Sequence, residues 1–321
     1  MRIGTRSSTM ALAQTTEVAA ALRRAIPGLE PEIVRFSPMG DRDQISKLDR
    51  HGGKGGAFVS EIRDAMRRGE LQCAMHSLKD MPGDEEAPGL VIAAYLTREP
   101  AGDVLVVRRG LDAEEVVKAK AAGLKIGTNS VRRASFLRRI FPQADVIHFR
   151  GAVDTRIHKL DEGIKQKLPD GSEVGPADAL VVAKAGLFRV GLSERIAHEF
   201  SVDDMLPSAG QGIVAVECVA TDWDTRKKLG AIDDPSSRCC AEAEREVLWV
   251  LNGHCNAPIA AHARLDGGKL NLSAAVMSED GATVIEASAS ADRTRPRELG
   301  RRVGLELLGK GAAALIETSR P

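Results

Sequence analysis

The sequence predicts an α/β protein of two related lobes followed by a smaller third α/β domain with an antiparallel sheet. Three observations predict it. Short apolar runs of strand length alternate with segments of helical period. The form IGTxS occurs twice, as Ile3-Gly4-Thr5-Arg6-Ser7 and as Ile126-Gly127-Thr128-Asn129-Ser130, each time closing a strand-like run and opening a helical one. After about residue 231 the pattern changes to one long helix and a series of alternating segments.

In the first lobe, Leu12, Ala19, Leu22 and Ile26 recur at helical spacing after the first IGTxS, and Ser7 or Ser8 supplies an N-cap hydroxyl for the unpaired amides of the first turn. The glycine-rich stretch GGKGG follows at residues 52–56, read as a flexible lid. A helix is predicted from about Val59 to Arg68, a strand from Leu71 to His76, and a turn over Ser77-Leu78-Lys79-Asp80-Met81-Pro82 at that strand's carboxyl end, where open α/β sheets bind ligands. Val104–Val107 reads as another strand. After the second IGTxS, Val131, Ala134, Leu137 and Ile140 mark a helix capped by Ser130, and a strand over Asp145–Phe149 follows. Residues 165–176, KQKLPDGSEVGP with its first residue at 165, form a polar insertion expected as a surface hairpin or loop. Ala179–Ala183 is a buried strand, and Gly210-Gln211-Gly212 suits a hinge before a strand over Ile213–Glu217. The third domain has a helix over Cys239–Leu251, strands near 259–265, 270–277 and 283–290, and a last helix near 296–309. These readings give residues 1–99 with 210–230 as the first lobe, 100–209 as the second and 231–321 as the third domain.

Composition narrows the function. Lys+Arg and Asp+Glu are both 45 and aromatics are 3%, so a bulk nucleic-acid binder is disfavoured and any anion site must be local. No apolar run approaches membrane-spanning length and the first residues lack the apolar segment of a secretory signal. The five cysteines, Cys73, Cys218, Cys239, Cys240 and Cys255, include no CxxC pair, which fits reduced thiols in a cytoplasm and no zinc site. GGKGG lacks the GxxxxGK[ST] form of a phosphate loop.

The local clue is arginine. Arg132 and Arg133 sit in the first turn of a predicted helix, where cations oppose the helix dipole and a bound anion would resolve the conflict. Arg150 and Arg156 follow the next strand, and Arg6 occupies the matching turn of the first lobe. A cleft lined in this way wants a polycarboxylate or a phosphate. Arg138 and Arg139, further along the helix, read as solvated surface charges. Asp80 is a turn former or, if it reaches the cleft, a catalytic acid or base. For Cys255, on the loop NGHCNAP, an inert buried thiol and a nucleophile both stay open.

The segments RIGTRSSTMALAQT, FVSEIRDAM, MHSLKDMP, IGTNSVRR, FRGAVDTRIHKLDEG, LPSAGQGIVAVEC and NGHCNAPIAA resemble, in order and over nearly the whole chain, those of the porphobilinogen deaminases. The resemblance implies two lobes like type II periplasmic-binding proteins around a cleft. It also implies a transferase that joins four porphobilinogen molecules, with loss of ammonia, into a linear tetrapyrrole on a dipyrromethane held by a thioether to Cys255. Asp80 would be catalytic, stabilising the cation left when ammonia departs. Lys79, Asp80, Ser77, Ser130, Arg132, Arg133 and Arg150 would hold the dipyrromethane, and Arg6, Ser8, Phe58, Arg150, Arg156, Arg189 and Gln211 the substrate. A cytoplasmic monomer without nucleic-acid or membrane partners is implied as well. The chain departs from the family in a lid one residue longer, which loosens the alignment of Lys54, in the 165–176 insertion, and in His254 where glycine is common. A two-lobed anion-binding protein without catalysis is the alternative that the arginines alone would equally allow.

Overall fold

A computed structural model describes residues 1–36, 56–83, 87–168, 170–254 and 257–319, apart from the side chains of residues 56–58. Residues 52–55 of the glycine-rich lid, with Lys54, the Phe58 side chain and Cys255 lie outside the described residues.

The strands in chain order are β1 (Arg2–Arg6), β2 (Glu32–Phe36), β3 (Cys73–Ser77), β4 (Leu90–Tyr95), β5 (Asp103–Val107), β6 (Lys125–Thr128), β7 (Asp145–His148) and β8 (Gln166–Lys167). They continue as β9 (Glu173–Val174), β10 (Ala179–Ala183), β11 (His198–Glu199), β12 (Val214–Val219), β13 (Ile259–Asp266), β14 (Lys269–Met277) and β15 (Val284–Asp292). One five-stranded sheet has the order β2-β1-β3-β12-β4, with β12 antiparallel to both neighbours. The second, β7-β6-β10-β5-β11, repeats this order with β5 antiparallel to both neighbours. The two IGTxS strands, β1 and β6, hold equivalent places, so the short repeat marks a real duplication of architecture. These are two lobes of the same strand order, joined by two crossings of the chain, with a separate small antiparallel domain after them.

Local chemistry accounts for each lobe's opening helix. In Thr9–Ala25 the Ser8 hydroxyl accepts the Ala11 amide at 3.3 Å, and Ala11, Val18, Ala19 and Leu22 face the core at helical spacing. In Val131–Ile140 the Ser130 hydroxyl accepts the Arg133 amide at 3.4 Å. Both faces of the first sheet are covered. Ile3, Val18, Leu22, Met75 and Val216 pack on one side, and Ile62, Met66 and Leu71 on the other.

The crossings lie side by side: Leu96 donates to the Val214 carbonyl at 2.9 Å and Glu99 to the Gly212 carbonyl at 3.2 Å. Gly212 has φ +88°, and a Cβ there would stand 2.3 Å from the Glu99 carbonyl oxygen, so only glycine fits.

In the third unit, β13, β14 and β15 form an antiparallel sheet covered by the helices Pro235–Leu251 and Pro296–Gly309. Val247, Leu251, Leu272, Val276, Leu299, Val303 and Leu307 are its core. The first of these helices starts earlier than its apolar period predicts. Asp234 caps the Ser237 amide at 2.8 Å and Pro235 fills the first turn, an N-terminal signal that period alone overlooks. A further helix, Ala312–Thr318, follows the left-handed Gly311 and was not foreseen. The 165–176 insertion is a two-stranded hairpin, β8 with β9, yet Gln166 within it is buried.

The fully buried Glu244 ties the helix Pro235–Leu251 to the crossings. It accepts from Arg98 Nη1 at 2.6 Å, from the Gly210 amide at 2.6 Å and from the Ala263 amide at 2.7 Å. Arg98 also donates to the Gln211 carbonyl at 2.9 Å. Glu244→Leu leaves that guanidinium buried without its counter-ion, and we expect a loss of stability of about 3–5 kcal/mol, measured as an earlier denaturant midpoint for the variant.

Candidate active site

The carboxyl ends of β1, β3, β6 and β7 carry Arg6, Lys79 with Asp80, Arg132 with Arg133, and Arg150. Of these, Lys79, Arg132 and Arg133 come together through Gln211 and Asp103 where the crossings join the lobes. At the centre is Asp103, the first residue of β5 and fully buried. Arg132 donates to it at 2.6 Å and Arg133 at 3.0 Å, and Gln211 Nε2 donates at 2.9 Å. Burial alone would push the Asp103 carboxyl up. Arg132 and then Arg133 outweigh burial and hold it down at about 2. The anion that resolves the misplaced first-turn cations is therefore, in the first instance, the protein's own carboxylate. One carboxylate between two guanidiniums still leaves positive charge uncompensated.

Gln211 extends the cluster. Its Oε1 accepts from Arg133 Nη2 at 3.2 Å and from Lys79 Nζ at 3.3 Å, while Nε2 also donates to the Ala101 carbonyl at 2.6 Å. Gln211 has no exposed surface. Both ends of its amide are engaged within the protein, joining the crossings to Lys79 and Arg133. Arg189 is likewise engaged within the protein. It donates from Nε to Glu17 at 3.2 Å and from Nη2 to the Gly212 carbonyl at 3.0 Å, with 5% of its side chain exposed. It ties the helix Thr9–Ala25 of one lobe to the second lobe. Thr9 adds another tie, donating to Asp154 at 2.8 Å.

Lys79 is partly buried, and its ammonium is pushed down to about 8, first by burial and then by Arg133. Arg156, in the helix Val153–Asp161, is pushed down to about 10 by burial and then by Arg133. Its Nε and Nη1 are buried and have no hydrogen-bond partner among the described residues. Buried donors without acceptors are costly, and a carboxylate entering beside Arg156 would supply them. Asp80 is exposed on the turn beside Lys79. Ser77 donates to Gln14 at 2.8 Å, which uses its proton. Ser8 and Ser130 accept from helix amides, so their hydroxyl protons remain to donate. Arg6 and Arg150 lie at strand ends, with Arg150 buried. His254 stands with Nε2 3.4 Å from Ser319 Oγ.

Sequence reasoning missed Asp103, Glu17 and Asp154. A lone acid opening the apolar run Val104–Val107 was the one available signal for Asp103, because an acid continuous with a buried strand needs a buried cation.

Residues 1–227 match the family described as "Porphobilinogen deaminase, dipyromethane cofactor binding domain", and residues 238–309 match "Porphobilinogen deaminase, C-terminal domain". A porphobilinogen deaminase of Syntrophobacter fumaroxidans is 38% identical over 317 residues, covering 99% of this chain and 97% of its own. One of Xanthomonas euvesicatoria is 41% identical over 316 residues, covering 98% of each. Among solved structures, the VFT2 domain of Bordetella pertussis BvgS is similar at 17% identity and a TM-score of 0.40, covering 72% of this chain and 85% of that one. An arginine-specific periplasmic binding protein of Salmonella typhimurium is similar at 10% identity and a TM-score of 0.36, covering 74% and 93%. The non-catalytic alternative is not favoured by these matches. With both family regions matched in order and near-complete coverage of its relatives, the chain belongs to the porphobilinogen deaminases, transferases that join four porphobilinogen molecules into hydroxymethylbilane on a dipyrromethane cofactor.

Proposed function

We propose that the cationic ends of the two sheets hold the acetate and propionate groups of porphobilinogen and of the dipyrromethane, and that Asp80 handles charge and protons in the coupling. The observation that carries this reading is Arg156, a buried guanidinium with two nitrogens unpartnered among the described residues, destabilised by burial and by Arg133. An incoming carboxylate would relieve both. That donor chemistry fits an acid-bearing dipyrromethane as well as the substrate. Arg6, Arg150 and Lys79 supply further cations, Arg132 and Arg133 supply charge from behind through Asp103, and Ser8 and Ser130 donate hydroxyl protons. Ser77 holds Gln14, and so acts on the turn from behind. When bound, the dipyrromethane supplies the pyrrole carbon to which the first substrate is joined. Loss of ammonia leaves a cation on the substrate. Asp80, on the turn after β3, stabilises it through pyrrole N–H groups and accepts the proton released on coupling.

The proposal divides the chain into a first lobe of residues 1–99 with 210–230, a second of 100–209 and a third domain of 231–321, with Cys255 as the thioether site on the third. It also makes the protein a cytoplasmic monomer without nucleic-acid or membrane partners. The formal charge of zero speaks against a nucleic-acid partner, and no helix among the described residues is long and apolar enough to cross a membrane.

Intact mass tests the attachment: protein exposed to porphobilinogen should carry one dipyrromethane and Cys255→Ser none, and an adduct retained by the variant would refute the thioether. Asp80→Ala should keep the fold, since the side chain is exposed, while kcat falls roughly 100-fold or more; steady-state rates near those of the parent would remove Asp80 from the chemistry. Lys79 gives a pH signature. Its ammonium, at about 8, is charged below that pH and attracts carboxylate. As pH rises through this value the charge is lost, so KM for porphobilinogen should climb, and Lys79→Gln should flatten that limb.

A further inference from the structure

We propose that the hairpin inserted at residues 165–176 sets the position of Arg150, with Gln166 as the positioning residue. β7 is the outer strand of the second sheet, so the chain leaving it has no neighbouring strand beyond to pair with. The Phe149 amide still donates to the Thr128 carbonyl at 3.2 Å. The next amide, that of the buried Arg150, lies past the paired strand residues and donates instead to Gln166 Oε1 at 3.2 Å. Lys159 Nζ donates to the same oxygen at 3.2 Å and to the Arg150 carbonyl at 3.3 Å. Both backbone groups of Arg150 are thus held by side chains, one from the hairpin and one from the helix Val153–Asp161. Gln166 Nε2 donates to the Lys167 carbonyl at 2.9 Å, which turns the amide oxygen toward Arg150.

The hairpin is anchored through its own packing. Gln166 pairs with Val174, and Val174 packs against the cluster that contains Ile147, Phe149 and Leu160. Gln166 itself is 4% exposed, which a merely solvent-facing insertion would not require. Gly151, immediately after Arg150, has φ +128°, a backbone conformation that favours glycine. A guanidinium grips a carboxylate with two parallel bonds only when it is held in register, so an error in the backbone at residue 150 weakens binding before it weakens chemistry. The proposal rests on the reading that Arg150 holds an acidic group of substrate or cofactor.

The test compares Gln166→Ala, Gln166→Glu, Arg150→Ala and the double variant Gln166→Ala/Arg150→Ala, each as full-length protein loaded with porphobilinogen. The readouts are kcat, KM, the fraction carrying dipyrromethane by intact mass, and the thermal midpoint. Gln166→Ala orphans a buried amide, and KM should rise about tenfold while kcat stays within about twofold. Gln166→Glu keeps an acceptor for both the Arg150 amide and Lys159, and should restore KM. Arg150→Ala should raise KM or lower loading at least as much, with the double variant no worse than Arg150→Ala alone. Three results would overturn the proposal: an unchanged KM in Gln166→Ala while Arg150→Ala is impaired, equal damage from Gln166→Ala and Gln166→Glu, or fully additive effects in the double variant. Parent-like KM and loading in Arg150→Ala would overturn the reading of Arg150 itself, and the proposal with it.

Discussion

The site depends on one buried carboxylate. Asp103 is fully buried and stays ionised because Arg132 and Arg133 reach it from the first turn of the helix Val131–Ile140. Each guanidinium would be expensive to bury alone, and so would the carboxylate; together, with further hydrogen bonds from Gln211 and to the Leu206 carbonyl, they are tolerated, although Arg132 Nε is buried without a partner among the described residues. The sign of the linkage is that of a depressed acid. The contribution of Asp103 to stability is present above the ordinary carboxylate range and is lost as pH falls through about 2. The arginine pair is thereby kept inside the protein, where its residual positive charge is weakly screened.

This arrangement explains how a chain of zero formal charge gathers cations in one place. Positive charge is concentrated by burial instead of by excess. Burial first, and Arg133 after it, lowers both Lys79 and Arg156, so Arg133 repels each of them. The cost is met elsewhere, by the well-packed sheets and by the Glu244–Arg98 tie between the third domain and the crossings.

Much of the fold was legible because period and punctuation agreed. Ala179–Ala183 was bounded correctly because an apolar run of strand length stood between polar breaks, and the last long helix because a proline opened it. The placement of arginines at strand ends was legible from the two IGTxS openings. What was not legible was pairing over long separations. That Arg132 and Arg133 answer to Asp103, that Arg189 answers to Glu17, and that Gln211 is consumed within the protein all depend on how the two crossings bring remote segments together. A polar insertion likewise reads as solvent-facing, and only its docking under β7 reveals a buried glutamine.

The completion of the first sheet by a strand that follows the second lobe in the chain has a consequence for biosynthesis. β12 lies between β3 and β4, although more than a hundred residues of chain separate it from either. As the polypeptide emerges from the ribosome, β4 therefore has no partner to dock on until the whole second lobe has been made. The amino-terminal portion must wait as an incomplete sheet with open edges, a state prone to mispairing. Nascent-chain protection by a chaperone is the natural expectation for this interval, and a split of the gene between the lobes would separate β12 from the gap it fills.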